Sequence, residues 1–201
     1  VGIAEEHAVS FACGMSTQEI VPVFAVYSTF LQRTFDQLIH DAALEPKHIV
    51  LAVDRVGVVG ADGETHQGIF DVSMLRTVPG VVIYSPATFA QLQSALRKAV
   101  DDHTGIVAVR YPKGGEPEQT AKILGCDCSD FFCAESAGSE TLLVSYGRLS
   151  EELLQAREKL SEQGIPVSVL VLNRICPLPD GVLERMEDHR RVLFYEEGIQ
   201  S

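Results

Sequence analysis

The chain has 201 residues, enough for one large domain or two small ones, and its 46% apolar and 22% charged residues match a soluble globular protein. Its net charge is −12: residues 1–112 hold seven Lys or Arg against twelve Asp or Glu, and residues 113–201 nine against sixteen. That balance speaks against a nucleic-acid binder, which needs a basic footprint, and against adhesion to anionic membranes.

The first predicted element is a helix with the apolar stripe Ala4, Ala8, Phe11, Ala12 and Met15. Glu5 lies ~80° from the stripe centre, at its margin, and Glu6 lies ~180° away in solvent. A marginal carboxylate is placed to be half-buried and to meet a ligand; the same two residues equally suit the positive end of the helix dipole. A strand over 20–28 leads into Thr29-x-x-Gln32, which reads as a capping box. The helix behind it carries the stripe Leu31, Phe35, Leu38, Ile39 and Ala42, from which Phe30 points ~120° and Arg33 ~180° away. A phenylalanine off the core face beside a strand end needs another cover, either a ligand or a neighbouring surface.

A strand over 48–54 runs into Asp54-Arg55-Val-Gly57-Val-Val-Gly60-Ala-Asp62-Gly63-Glu64-Thr65-His66-Gln-Gly68. The glycines let this backbone approach a ligand closely, and Arg55, Asp62 and His66 supply charge and hydrogen bonds. The segment is neither a Walker nor a Rossmann loop, and Asp62, Glu64 and His66 fit no metal motif; a plain solvated loop is the alternative. Strands over 80–85 and 105–110 follow. Between them a helix opens at the capping box Thr88-x-x-Gln91 and continues through Leu92, Ala95, Leu96 and Ala99.

Residues 113–139, rich in Gly, Ser, Asp, Glu and Cys, break this rhythm and mark a domain boundary. Beyond them lie strands over 141–146, 166–172 and 191–196. A helix capped by Ser150, with Glu151 and Glu152 in its first turn, stops at Gly164 before Pro166. Alternating elements with near-continuous Val, Ile, Leu and Ala strands predict an α/β fold of two domains, each a mainly parallel sheet flanked by helices. The expected limits are 1–115 for the first domain, 116–139 for a linker and 140–201 for an incomplete second domain. Ligands of such sheets sit beyond the carboxyl ends of the strands.

No apolar run approaches the ~18 residues of a membrane span, and no basic segment precedes an apolar one as a signal peptide requires. Five cysteines, Cys13, Cys126, Cys128, Cys133 and Cys176, are an odd number without paired CxxC spacing. They read as free thiols in a reducing cytoplasm rather than as a zinc site or disulfide framework. The chain opens at Val1 without Met and reads as a piece of something longer.

Gly-Ile-Ala-Glu-Glu-His-Ala-Val (2–9), Tyr-Ser-Thr-Phe-Leu-Gln-Arg (27–33), the loop 54–68 and Arg110-Tyr-Pro-Lys-Gly114 together resemble the 1-deoxy-D-xylulose-5-phosphate synthase family. These are thiamine-diphosphate enzymes of the transketolase superfamily. The likeness covers 1–115 and weakens over 140–201, where Asn173-Arg-Ile-Cys-Pro-Leu-Pro179 is only loosely similar. It implies a transketolase-like pyrimidine-binding domain followed by a truncated C-terminal domain.

It implies, too, a reaction in which pyruvate loses CO2 and joins D-glyceraldehyde 3-phosphate to give 1-deoxy-D-xylulose 5-phosphate, a precursor for isoprenoids, thiamine and pyridoxal phosphate. By the resemblance, Glu5 hydrogen-bonds the aminopyrimidine of thiamine diphosphate and shares a proton with it. Phe30 stacks on that ring, and Arg33 lines the same pocket. Tyr27, Arg55 and Lys113 hold the substrate phosphate, while Asp62 and His66 orient the aldehyde or its neighbouring hydroxyl, with His66 joining Glu5 as a catalytic residue.

Two positions depart from the family: Glu6 stands where Gln is usual, and Lys113 where Arg is usual, keeping the charge but losing the bidentate fork. No residue here is expected to bind metal. Mg2+ and the diphosphate belong to a preceding domain with a GDG…N motif, supplied from a missing segment or a partner subunit. The chain is therefore expected to hold half of an active site, to be inactive alone, and to form a homodimer. The competing readings are another transketolase-like or 2-oxoacid dehydrogenase β-type subunit, and a non-catalytic α/β assembly module.

Overall fold

A computed structural model describes residues 2–199, which divide into two compact units: 2–84, 95–113 and 197–199 form the first, and 85–94 with 114–196 the second. The first opens with α1 (Glu5–Ser16), followed by β1 (Val23–Tyr27). A helical segment over 28–43 comes next, then β2 (Ile49–Asp54), α4 (Asp71–Leu75) and β3 (Val82–Tyr84). That segment is broken into α2 (Ser28–Leu31), a 3₁₀ turn (Gln32–Thr34), α3 (Phe35–Gln37) and a π turn (Leu38–Ala43). After α5 (Phe89–Asp101), β4 (Ile106–Tyr111) completes a parallel array in the order β1-β2-β4-β3. Ile49, Val50, Leu51 and Val53 of β2 and Val107, Ala108 and Val109 of β4 are completely buried. Strands covered on both faces need continuous apolar runs, which is why the sequence pattern located them within a few residues.

Two helices sit differently from expectation. In α1 the buried residues are Ala8, Val9, Ala12 and Cys13, while Phe11 is 62% exposed and Met15 only half-buried. The helix is apolar over more than one stripe, so periodicity alone does not choose its rotation. The observed rotation places Glu5 one turn before Ala8 and Val9 on the buried face, deeper than a marginal position. In 28–43 the buried line is Leu31, Thr34, Leu38 and Ala42, with Phe35 turned outward; the Thr34 hydroxyl donates to the Leu31 carbonyl at 2.7 Å. Thr29 does not cap this segment, which starts one residue earlier at Ser28. Its hydroxyl donates instead to the Thr65 carbonyl at 3.1 Å.

The second unit holds α6 (Glu118–Leu124), β5 (Phe131–Ala134), β6 (Thr141–Tyr146), α7 (Ser150–Glu162), β7 (Ser168–Leu172), β8 (Arg174–Cys176), α8 (Val182–Glu187) and β9 (Arg191–Phe194). Its sheet runs β5-β7-β6-β9, parallel except for β5. One core cluster gathers Leu124, Leu153, Leu154, Val169 and Val171, and the other Leu142, Val144, Leu170, Leu172 and Val182. Residues 113–139 thus contain a helix and a strand. The strand, Phe-Phe-Cys-Ala, is four residues long and only partly buried, too short to register among its polar neighbours.

The helix α6 is capped from a distance: the Glu151 carboxylate accepts from the Thr120 backbone N–H at 2.8 Å, the Thr120 hydroxyl at 2.9 Å and the Gln119 N–H at 3.3 Å. Partial desolvation of Glu151 opposes its ionisation, but these donors hold its carboxyl below the usual range. Ser150 is not a cap. A 3₁₀ turn, Gly147–Leu149, precedes it, so it lies inside α7 with its hydroxyl buried. The Thr88 box does form: the Gln91 N–H donates to Thr88 Oγ1 at 3.1 Å, and Gln91 Oε1 accepts from the Ala87 N–H at 2.9 Å. No described helix is long and apolar enough to cross a membrane.

Candidate functional site

The register aligns Tyr27, Asp54 and Tyr111 at the carboxyl ends of β1, β2 and β4. Above this row, in the first unit, the structure gathers every candidate residue. Glu5, from the first turn of α1, pairs through Oε1 with Arg33 Nη1 at 2.9 Å. Its other oxygen, Oε2, is buried and meets no hydrogen-bond donor among the described residues. Both Glu5 and Phe30 line a cleft of about 190 Å³, together with Gly2, Ala8, Tyr27 and Phe24, Ala25 and Val26 of β1. Phe30 is half-buried, outside the core; Arg33 lies 5.0 Å from its ring centroid, and the Tyr27 ring is stacked at 5.7 Å. Glu6 faces solvent.

Tyr27 is the joint between this cleft and a cluster of charges. The Arg55 guanidinium lies 3.8 Å from the Tyr27 ring centroid, a cation–π contact. Arg55 Nε donates to Asp62 Oδ2 at 3.2 Å, and Lys113 Nζ donates to Asp62 Oδ1, so one carboxylate bridges two cations. The hydrogen bond from Lys113, with help from Arg55, holds the Asp62 carboxyl below its ordinary range although partial desolvation works against this. Desolvation likewise opposes the charge on Arg55, but Asp54, Tyr27 and Asp62 outweigh it and hold its pKa above the usual value.

His66 stands edge-on to both aromatic rings, 5.3 Å from Phe30 and 6.4 Å from Tyr27. Thr65 Oγ1 is 2.9 Å from its Nδ1; a hydroxyl donating there leaves the ring proton on Nε2. The loop is braced by Gln67, whose amide accepts from the Val59 N–H at 2.7 Å and donates to the carbonyls of Val59 at 3.1 Å and Gly63 at 2.6 Å. Gly57 and Gly68 exchange backbone hydrogen bonds of 2.7 and 2.8 Å. A Cβ on Gly68 would collide with the Arg55 carbonyl and lie 2.8 Å from Val56 Cα, so only glycine closes this loop.

The family model described as "Transketolase, pyrimidine binding domain" matches residues 1–117, more than half of the chain. The chain belongs to the transketolase family. A second transketolase model, the C-terminal domain, matches residues 134–201. Among transketolase-family relatives, a Brevibacillus brevis protein is 40% identical over all of this chain and a Clostridium kluyveri protein 42% identical over 99% of it. Both relatives are named 1-deoxy-D-xylulose-5-phosphate synthase. This chain spans 32% of their length, about a third. A solved transketolase, "Split gene transketolase, inactive beta4 tetramer", superposes with a TM-score of 0.85 over 98% of this chain and 64% of its own, at 24% identity, and shares the fold.

Reading along the chain missed Asp54 and the Thr29–Thr65 latch. It also left Arg110 without a role; Arg110, one residue before Tyr111 on β4, donates to both oxygens of Asp71 at 2.9 and 3.1 Å, a buried bidentate pair. The adjacent Asp-Arg at a strand's end is the one local signal from which Asp54 could have been found.

Proposed function

We propose that this chain is the pyrimidine-binding and C-terminal portion of a thiamine-diphosphate enzyme that condenses pyruvate with D-glyceraldehyde 3-phosphate, with loss of CO2, to 1-deoxy-D-xylulose 5-phosphate. The observation that carries this reading is the buried, unpartnered Oε2 of Glu5, beside Phe30 in a cleft that Tyr27 joins to a cation cluster. An orphaned buried acceptor is costly and calls for a donor from outside the chain; the protonated ring nitrogen of an aminopyrimidine is such a donor, flat enough to lie against Phe30. The residues present therefore fit the cofactor. The names of the relatives favour this reading over a 2-oxoacid dehydrogenase β-type subunit and over a non-catalytic module.

Thiamine diphosphate, when bound, would supply a thiazolium carbon acidic enough to lose its proton and then serve as nucleophile and electron sink for the decarboxylation of pyruvate. The chain's own residues do the rest. Glu5 takes and returns a proton at the ring nitrogen facing Oε2, while Arg33 keeps Oε1 occupied so that one oxygen does this work. Phe30 excludes water from the flat face of the ring.

Arg55, Lys113 and Tyr27 bind the phosphate of glyceraldehyde 3-phosphate through charge-assisted hydrogen bonds. The phosphate takes the place between Arg55 and Lys113 that the Asp62 carboxylate holds in the free chain, and Asp62 turns to the substrate hydroxyl. His66, a donor at Nε2, holds the aldehyde oxygen.

Mg2+ and the diphosphate are assigned to a domain outside these residues, and we assign the chain's own domains to 1–115 and 140–201, with the segment 116–139 between them adding α6 and β5 to the second unit. A homodimer in the cytoplasm completes the proposal. The test adds a separately produced diphosphate-binding domain to this chain and measures release of CO2 from pyruvate. The expected result is release that depends on both parts and on glyceraldehyde 3-phosphate; no release in any combination would overturn the reading.

A further inference from the structure

Arg55 has a backbone that arginine rarely adopts. It follows β2 with φ +57°, in the left-handed region, which crowds a residue bearing a Cβ. The turn is held in place by the residue before it. Asp54 Oδ1 accepts from the Arg55 backbone N–H at 2.7 Å, and Asp54 Oδ2 accepts from Arg55 Nη1. One carboxylate thus grips the same residue at its main chain and at its guanidinium, closing a ring that folds the side chain back over Tyr27.

The two carboxylates around Arg55 differ in kind. Asp54 is the last residue of a strand hydrogen-bonded on both sides, between β1 and β4. Asp62 lies in a short 3₁₀ turn of the glycine-rich loop. With Nη1 given to Asp54 and Nε to Asp62, Nη2 is left for a further acceptor. Asp54 is fixed and Asp62 is exchangeable.

We propose that Asp54 is a positioning residue for the phosphate of the substrate: it locks Arg55 into the left-handed turn and aims its guanidinium across Tyr27 toward the phosphate seat. This rests on the reading of Arg55 as a phosphate ligand and names a residue that the resemblance did not assign. Asp54→Asn keeps an acceptor for the Arg55 N–H but loses the charged grip on Nη1, whereas Asp54→Ala loses both.

Two measurements test it. In the first, the chain alone is titrated with inorganic phosphate while the Arg55 Nε–Hε signal is followed by NMR. In the second, the chain completed by a diphosphate-binding domain is assayed at steady state. Asp54→Asn should weaken phosphate binding and raise KM for glyceraldehyde 3-phosphate by about tenfold, Asp54→Ala by more. KM for pyruvate and the melting temperature of Asp54→Asn should stay at the wild-type values. A merely structural role would instead lower the melting temperature and change both KM values together, and that result would overturn the proposal. So would phosphate affinity indifferent to either substitution, or no phosphate binding by the wild-type chain. If phosphate binds in an Asp54-dependent way but the completed wild-type enzyme releases no CO2, the positioning role stands and the condensation reading fails.

Discussion

Glu5 and Arg33 share one ion pair yet have opposite surroundings: the glutamate side chain is 12% exposed and the arginine 44%. The arginine's solvated end keeps the pair soluble, and the glutamate's buried end keeps one oxygen dry and unsatisfied. A group in that position is suited to proton exchange because it is largely withdrawn from bulk solvent. Replacing Glu5 by Gln preserves size and one acceptor oxygen but removes the ability to take and return a proton. In the chain completed by a diphosphate-binding domain, turnover should fall by orders of magnitude while the far-ultraviolet circular dichroism is unchanged; near-normal turnover would remove Glu5 from the chemistry. The family motif placed both residues in one pocket, but their direct pairing depends on how α1 is rotated, which the sequence left open.

Elements show the same division. The strands β2 and β4 were legible because burial on both faces demands unbroken apolar runs. The helices were legible in existence but not in orientation, since α1 offers two adjacent apolar stripes and 28–43 replaces Phe35 by Thr34 on its buried line. Between β4 and α4 lies an interaction with no local signature at all, the Arg110–Asp71 pair, 4% and 1% exposed at the side chain. Neutralising one member of a buried bidentate pair leaves the other desolvated charge poorly compensated. Asp71→Asn should therefore cost about 3–5 kcal/mol of stability, read as a lower urea midpoint, whereas Glu118→Gln, in an exposed pair with Lys122, should leave the midpoint nearly unchanged. Equal effects would mean that the buried pair contributes no more than a surface one.

At the scale of the whole molecule, five cysteines, none of them in a disulfide, report how burial is distributed. Burial, with the Asp41 carboxylate nearby, pushes the Cys13 thiol up to about 11, Lys47 acting the other way; Cys126 is exposed. With limiting iodoacetamide at about pH 8, Cys126 should be alkylated first and Cys13 only after denaturant is added, because the thiolate is the reacting form. Mass spectrometry of the digested chain checks the order, and comparable rates at the two sites would contradict the packing of α1.

Composition, strand pattern and four ordered motifs determined, with no coordinates, that this is an α/β chain of transketolase type and which side chains are the candidates for its site. Those features are written locally: a buried strand needs its own apolar residues, and a motif carries its own side chains. Tertiary structure decided what those residues do to one another. The rotation of α1 that buries Glu5, the left-handed turn that folds Arg55 onto Tyr27, the hold of Asp54 on it and the bridging of two cations by Asp62 join residues that are adjacent in space rather than aligned by any period. Each arises from packing between elements, where burial and charge compensation select one arrangement among several that the chain's local preferences permit equally.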